Sequence, residues 1–242
     1  MSFVLTLAVD RRATALPDTT IARVRDAIRG QQPRLLSPGE AADIPVRDAP
    51  DMRIVAAALG SAPVDAIVTK ARGRRKGLLV ADMDSTIVTS ETLDEIAAFA
   101  GLKDRIAAIT RASMNGEIDF ETALRQRVAM LKGLPLEALE KTWAATKLTH
   151  GARELVATMR AHNALTALVS GGFTFFTSRV AALAGFDTHR ANILLDDGTA
   201  LTGEVADPVL DRFAKLETLR DLAAARNLKP HATLAVGDGA ND

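Results

Sequence analysis

Two aspartates separated by one residue, Asp82 and Asp84, close the apolar run Leu78-Leu79-Val80-Ala81. On extended backbone successive side chains alternate, so both carboxylates project to the same side. Paired carboxylates in an apolar setting repel each other, and they persist only around a cation or with one of them protonated. The pair is therefore a candidate Mg²⁺ site, a nucleophile with its acid, or both together. The alternative is a solvated turn whose aspartates cap the next helix. A calcium-binding EF-hand loop is excluded. Its sixth and twelfth positions require glycine and glutamate, and here they hold Ile87 and Leu93.

Two further polar clusters end apolar runs in the same way. Residues 164–169 lead into Ser170-Gly171-Gly172-Phe173, and residues 232–236 lead into Gly237-Asp238-Gly239-Ala240-Asn241-Asp242. Short apolar runs without polar alternation read as strands buried on both faces of a parallel sheet. Helical spacing separates them, so the fold class is α/β, a doubly wound parallel sheet. Ligands in such sheets bind beyond the carboxyl ends of the strands. Asp82, Ser170 and Asp238 all fall at such ends. Glycines there permit close approach of a ligand, and the helix from 174 to 184 begins beside them; on its own a serine-glycine-glycine is more often a plain turn.

The elements that must position these residues follow from periodicity and punctuation. Residues 1–70 read as a small α+β unit with a strand at 3–9, a helix at 21–28, a turn-rich, proline-punctuated stretch at 31–50, a helix at 52–59 and a strand at 64–69. The unit resembles ACT-like regulatory modules, and a packing or dimerisation module is the alternative. Residues 71–76 form a basic run without interleaved aromatics, which reads as a solvated linker. After the Asp-x-Asp strand comes an all-helical insert over about 90–148, broken at Gly101, at Asn115-Gly116 and at Gly133 with Pro135. It reads as a cap over the site. Strand–helix alternation resumes at 149. Segments 192–195 and 201–205 flank Asp196-Asp197-Gly198, which reads as a hairpin. A helix over 211–225 precedes the last strand.

Composition excludes several classes. The charges balance to zero, which suggests neither a nucleic-acid nor a membrane surface. No apolar run approaches the roughly 20 residues of a membrane span, and the start of the chain lacks the pattern of a signal peptide. The absence of cysteine rules out disulfides, thiolate metal sites and cysteine nucleophiles. A cytoplasmic enzyme fits this profile. The histidines at 150, 162, 189 and 231 show no metal spacing.

Asp-Met-Asp-Ser-Thr, Ser-Gly-Gly-Phe, a lysine on the helix over 211–225 and Gly-Asp-Gly-Ala-Asn-Asp resemble, in order and spacing, the motifs of the haloacid dehalogenase superfamily. The likeness covers about 77–242 and is greatest to its phosphoserine phosphatase branch. The resemblance implies hydrolysis of O-phospho-L-serine with Mg²⁺. Asp82 would be the nucleophile, forming an aspartyl-phosphate. Asp84 would protonate the leaving oxygen and later deprotonate water. The metal ligands implied are the Asp82 carboxylate, the Asp84 main-chain carbonyl and the Asp238 carboxylate, with Asp242 orienting a metal-bound water. Ser170 and Gly171 would hold the phosphate, Lys215 would neutralise it and Asn241 would position it. Glu91 would meet the substrate ammonium and Arg127 its carboxylate, with Met114 and Phe120 as an apolar wall.

Bland readings stand beside these: Glu91 as a capping residue, Arg127 paired with Glu121 or Glu137, Phe120 as core, Lys215 as a solvated lysine. The family continues beyond the metal loop, so a core lacking its C-terminal part is expected. Two rival functions follow. One is phosphoryl transfer to, or hydrolysis of, another small phosphomonoester; the other is a non-catalytic amino-acid sensor. The partner expected is a small-molecule substrate, and a homodimer through the N-terminal unit is one arrangement the sequence allows.

Overall fold

The computed structural model describes residues 2–211 and 213–239. Met1, Arg212, Ala240, Asn241, Asp242 and the Met114 side chain lie outside the described residues. The chain divides into two compact units, Met1–Arg75 and Lys76–Asp242.

The first unit runs β1 (Phe3–Ala8), α1 (Asp18–Ala27), β2 (Arg34–Ser37), β3 (Ala41–Val46), α2 (Met52–Leu59) and β4 (Asp65–Lys70). Its antiparallel sheet has the order β2-β3-β1-β4, a split βαβ arrangement. Leu5, Leu7, Ala42 and Ile44 alternate onto one face and bury against Ile21, Val24, Val55 and Leu59 of the helices. The stretch expected to be turns holds β2 and β3. Proline misled the reading at Pro45, whose carbonyl accepts from the Gln31 N–H. That edge lies past the last β2 pair, Arg34 with Asp43, so the missing proline N–H breaks no rung.

The basic run also departs from a solvated spacer. Arg74 grips Asp43 with two nitrogens, at 2.6 and 2.8 Å, and reaches Thr6 Oγ1 at 3.1 Å. Thr6 and Asp43 face each other across β1 and β3, and Asp43 is only 6% exposed. Burial pushes the Asp43 carboxyl up, but the Arg74 fork and the Thr6 hydroxyl more than offset it and hold it below its ordinary value. Arg74→Ala would strand a buried carboxylate. We expect it to destabilise this unit by about 1–3 kcal/mol, less than a fully buried pair because Arg74 is partly open to water. Denaturant unfolding of the parent and variant chains measures it.

In the second unit, β5 (Leu78–Ala81) leads through the turn Met83–Ile87 into the helical insert. The insert comprises α3 (Thr92–Phe99), α4 (Lys103–Met114), α5 (Phe120–Ala129) and α6 (Glu137–Ala145). Then follow α7 (Ala152–Ala161), β6 (Leu165–Phe173), α8 (Thr174–Ala184), β7 (Thr188–Asn192), the hairpin β8 (Leu194–Asp196) and β9 (Leu201–Val205), α9 (Ala214–Ala225) and β10 (Thr233–Val236). The main sheet is parallel, in the order β10-β5-β6-β7. All four residues of β5 are buried, as expected for a central parallel strand covered on both faces.

Strand β7 escaped the sequence reading because Thr188-His189-Arg190 is polar, as an edge strand permits. The hairpin was expected, and β9 does more than close it. Leu201 exchanges main-chain hydrogen bonds with Gly133 and Leu134, and Pro135 bridges Ala200. These ties seat the insert on the core. Among the described residues no helix is long and apolar enough to cross a membrane.

Candidate active site

Parallel pairing of β5 with β10 and β6 brings three strand ends to one edge. The Asp82 N–H donates to the Val236 carbonyl at 2.9 Å, which extends the β10 ladder one residue past β5. Asp238 lies two residues beyond Val236, at that same carboxyl edge, and is exposed. Asp82 (φ −70°, ψ 159°) and Asp84 (φ −66°, ψ 141°) are both extended. Met83 between them keeps helical backbone, so strand alternation stops at Asp82, and the turn itself brings the Asp84 carboxyl within reach of the Asp82 charge. Ser85 then takes the left-handed region at φ 51°, a conformation that costs a non-glycine residue about 1 kcal/mol. From there its hydroxyl donates to Glu91 Oε1 at 2.5 Å.

Three groups converge on the two aspartates. Lys215, in the first turn of α9, puts Nζ 3.0 Å from Asp82 Oδ1, and both side chains are more than four-fifths buried. A lysine drawn under the surface onto a carboxylate is not a solvated helix residue. Ser170 Oγ lies 3.4 Å from Asp84 Oδ2 and accepts from the Gly172 N–H at 2.9 Å. Thr92, the first residue of α3, donates its N–H to Asp84 Oδ1 at 2.8 Å. The capping reading of the aspartates is thus half right: Asp84 does bond a helix N-terminus, but from a half-buried position facing other acids. Burial, with Glu91 and Asp82 adding to it and the Thr92 N–H opposing, pushes the Asp84 carboxyl up to about 7.

Glycine leaves the room needed at the carboxyl end of β6. A Cβ on Gly172 would stand 3.0 Å from Asp84 Oδ2 and 3.1 Å from Ser170 Oγ, and one on Gly171 would stand 3.0 Å from Phe120 Cζ. The Phe120 ring of the insert therefore lies against the glycine pair of the core. Gly172→Ala would force the Asp84 carboxyl aside by a few tenths of an ångström. We expect roughly a tenfold loss of turnover with little change in fold, because catalytic groups tolerate little displacement. Steady-state kinetics beside a thermal melt measures it.

From the insert, Arg127 donates to the Ala123 carbonyl at 3.2 Å and to Thr110 Oγ1 at 3.3 Å. Neither acid of the bland reading holds it: Glu121 pairs with Arg125 and Glu137 with Lys141. Burial lowers the Arg127 pKa, and the charges of Asp94 and Glu91 oppose that. An acid, Glu91, and a base, Arg127, thus sit within electrostatic reach of each other, and Glu91 is within reach of Asp84 as well. Asn241 and Asp242 lie outside the described residues.

The donor set can be weighed against Mg²⁺. Asp82 and Glu91 lie within electrostatic reach of Asp84, and burial first, with their charges added, raises the Asp84 pKa. A hard cation on carboxylate and carbonyl oxygens relieves such a surplus. Among the described residues no three His, Cys, Asp or Glu side chains form a metal cage. The expected set draws on two carboxylates and a main-chain carbonyl, so the residues fit the ion on chemistry.

Sequence reasoning missed two residues here. Thr92 carries no signal beyond its place at a helix start. Asn192 ends the polar strand β7 and is 2% exposed, and nothing in the local sequence marks that amide as buried.

A sequence profile of the haloacid dehalogenase-like hydrolases matches residues 79–242. A phosphoserine phosphatase of Archaeoglobus fulgidus is 42% identical over 169 residues, covering 70% of this chain and 49% of that protein. The chain thus spans about half the length of that relative. A HAD family hydrolase from Salmonella enterica serovar Typhi superposes on 100% of this chain and 84% of its own, with a TM-score of 0.82 at 26% identity. A phosphoserine phosphatase solved as a phospho-aspartyl intermediate analogue gives a TM-score of 0.64 at 40% identity, over 70% of this chain and 81% of that one.

Proposed function

We propose a function from one premise: the chain belongs to the haloacid dehalogenase-like hydrolase family. The reaction is hydrolysis of O-phospho-L-serine to L-serine and phosphate through an aspartyl-phosphate. One observation carries it, the cluster in which Lys215 meets Asp82 at 3.0 Å while Ser170 and a Thr92 N–H address Asp84. The relatives that bear the phosphoserine phosphatase name support the choice of ester.

The phosphoryl group needs positioning, in-line attack and offset charge. Ser170, the main chain at Gly171 and Gly172, and the N-terminus of α8 receive its oxygens. Lys215 holds Asp82 in place and balances charge as the Asp82 oxygen bonds phosphorus and the serine oxygen departs. Asp84, protonated near neutral pH, gives its proton to that oxygen. It then takes one from the water that opens the aspartyl-phosphate. Mg²⁺, held by the Asp82 carboxylate, the Asp84 carbonyl and the Asp238 carboxylate, would supply charge neutralisation. Asn241 would position phosphate, and Asp242 would orient water on the metal.

Glu91 takes the substrate ammonium and Arg127 its carboxylate, since the planar guanidinium matches a carboxylate. Phe120 sheds water on that side, and Met114 would share that role. A doubly charged ester stays in the compartment that makes it, so the enzyme works in the cytoplasm as the last step of serine synthesis. The 1–70 unit serves as an ACT-like ligand or dimerisation module, on the strength of its split βαβ topology. Residues 71–76 join it to the 77–242 phosphatase core.

A panel of small phosphomonoesters with and without Mg²⁺ tests the assignment. Phosphoserine should lead, and activity should vanish with chelator. A different preferred ester, or phosphate transfer to an added alcohol, would overturn the substrate.

A further inference from the structure

Between their last regular pair, Val169 with Arg190, and the next, Phe173 with Asn192, strand β6 has three residues where β7 has one. Those three residues are Ser170, Gly171 and Gly172. The excess is a bulge, and Gly171 has no register partner on β7. Asn192 fills the gap with its side chain. Its Nδ2 donates to the Gly171 carbonyl at 2.8 Å, and its Oδ1 accepts from the Leu210 N–H at 2.8 Å. A carbonyl can only accept and an amide N–H can only donate, so the orientation of the Asn192 amide is determined. The site uses one donor atom and one separate acceptor atom on a short stem, as the two ends of an asparagine amide supply. Leu210 belongs to the segment that leads into α9, which carries Lys215. Arg190 ties the same helix to β7 through Thr218 Oγ1 at 3.1 Å.

We propose that Asn192 is a positioning residue whose amide locks the glycine turn to the entry of the lysine-bearing helix, so that the two phosphate-facing elements move together. It touches no substrate. It fixes where the turn's main-chain groups stand relative to Lys215, and so sets phosphate affinity while leaving the Glu91 and Arg127 side alone. The inference rests on the phosphatase reading only in taking that turn to face phosphate.

Asn192→Asp keeps the shape and the acceptor but sets an oxygen against the Gly171 carbonyl. Calorimetry at low temperature with Mg²⁺ present would measure inorganic phosphate and L-serine separately, beside a thermal melt. We expect phosphate affinity to fall at least tenfold and serine affinity to stay within twofold. Phosphate affinity within twofold of the parent, or equal losses for both ligands, overturns the proposal. If the variant does not fold, hydrogen exchange on the parent chain decides. Saturating phosphate should slow exchange at the Leu210 amide at least fivefold, although phosphate does not touch it, and an unchanged rate overturns the coupling. A parent that binds phosphate but does not hydrolyse phosphoserine sinks the substrate assignment and leaves this inference standing. A parent that binds no phosphate sinks both.

Discussion

Asp82→Asn should abolish phosphate release from phosphoserine, with a loss of roughly 10³-fold or more, as for removal of an enzyme nucleophile. In the proposed mechanism the carboxylate attacks, and an amide oxygen of the same shape has neither the charge nor the nucleophilicity to form the phosphoester. The substitution also removes the anionic partner that Lys215 holds at 3.0 Å in a nearly buried setting. An ammonium left there without its carboxylate is costly. The variant should therefore melt earlier than its parent and recover part of the difference when inorganic phosphate is added. Stopped assays for phosphate and a melt with and without phosphate read both effects. Turnover within tenfold of the parent would assign the chemistry to another group.

Asp84→Asn should separate activity from stability. Loss of a general acid and base costs 10²–10⁴-fold, and turnover should fall by about that much. Stability should move the other way. The folded protein holds the Asp84 proton up to about pH 7, whereas an ordinary aspartate releases it near 3.8. Between those values folding takes up a proton, so the contribution of Asp84 is full below about pH 4 and is lost as pH rises through 7. Asparagine does not titrate. In chelator at pH 8 the variant should be the more stable by up to a few kcal/mol, since each tenfold change in proton affinity is worth about 1.4 kcal/mol. At pH 4 the gap should close. Melts of both proteins across that range give the difference directly. A parent that is the more stable at pH 8 would show that Asp84 is not held in an unfavourable setting.

The catalytic edge was legible in the sequence because its residues break strong patterns. Asp82, Ser170 and Asp238 each end an apolar run, and the Asp-x-Asp spacing already paired Asp82 with Asp84, although a turn rather than strand alternation brings them together. Phe120 against Gly171 and Glu91 near Arg127 needed the fold, since the insert reaches the core through β9 and nothing in local sequence says where a cap lands. Other features were hidden for physical reasons. Pro45 looked like a turn residue but sits where a strand edge has no rung to lose. Arg74 looked like part of a solvated basic run, yet one side chain in that run found the buried Asp43. Strand β7 is too polar to announce itself, and Asn192 within it matters only through a gap left by its neighbour. The roles given to Asn241, Asp242 and the Met114 side chain lie outside the described residues.

Where phosphorus first goes decides the mechanism. Phosphoserine labelled with ³²P, mixed with the protein and Mg²⁺ and quenched in acid within the first turnover, should leave acid-stable, base-labile label on the peptide that contains Asp82. Label on any other side chain, or phosphate released with no labelled peptide at any time point, would contradict it.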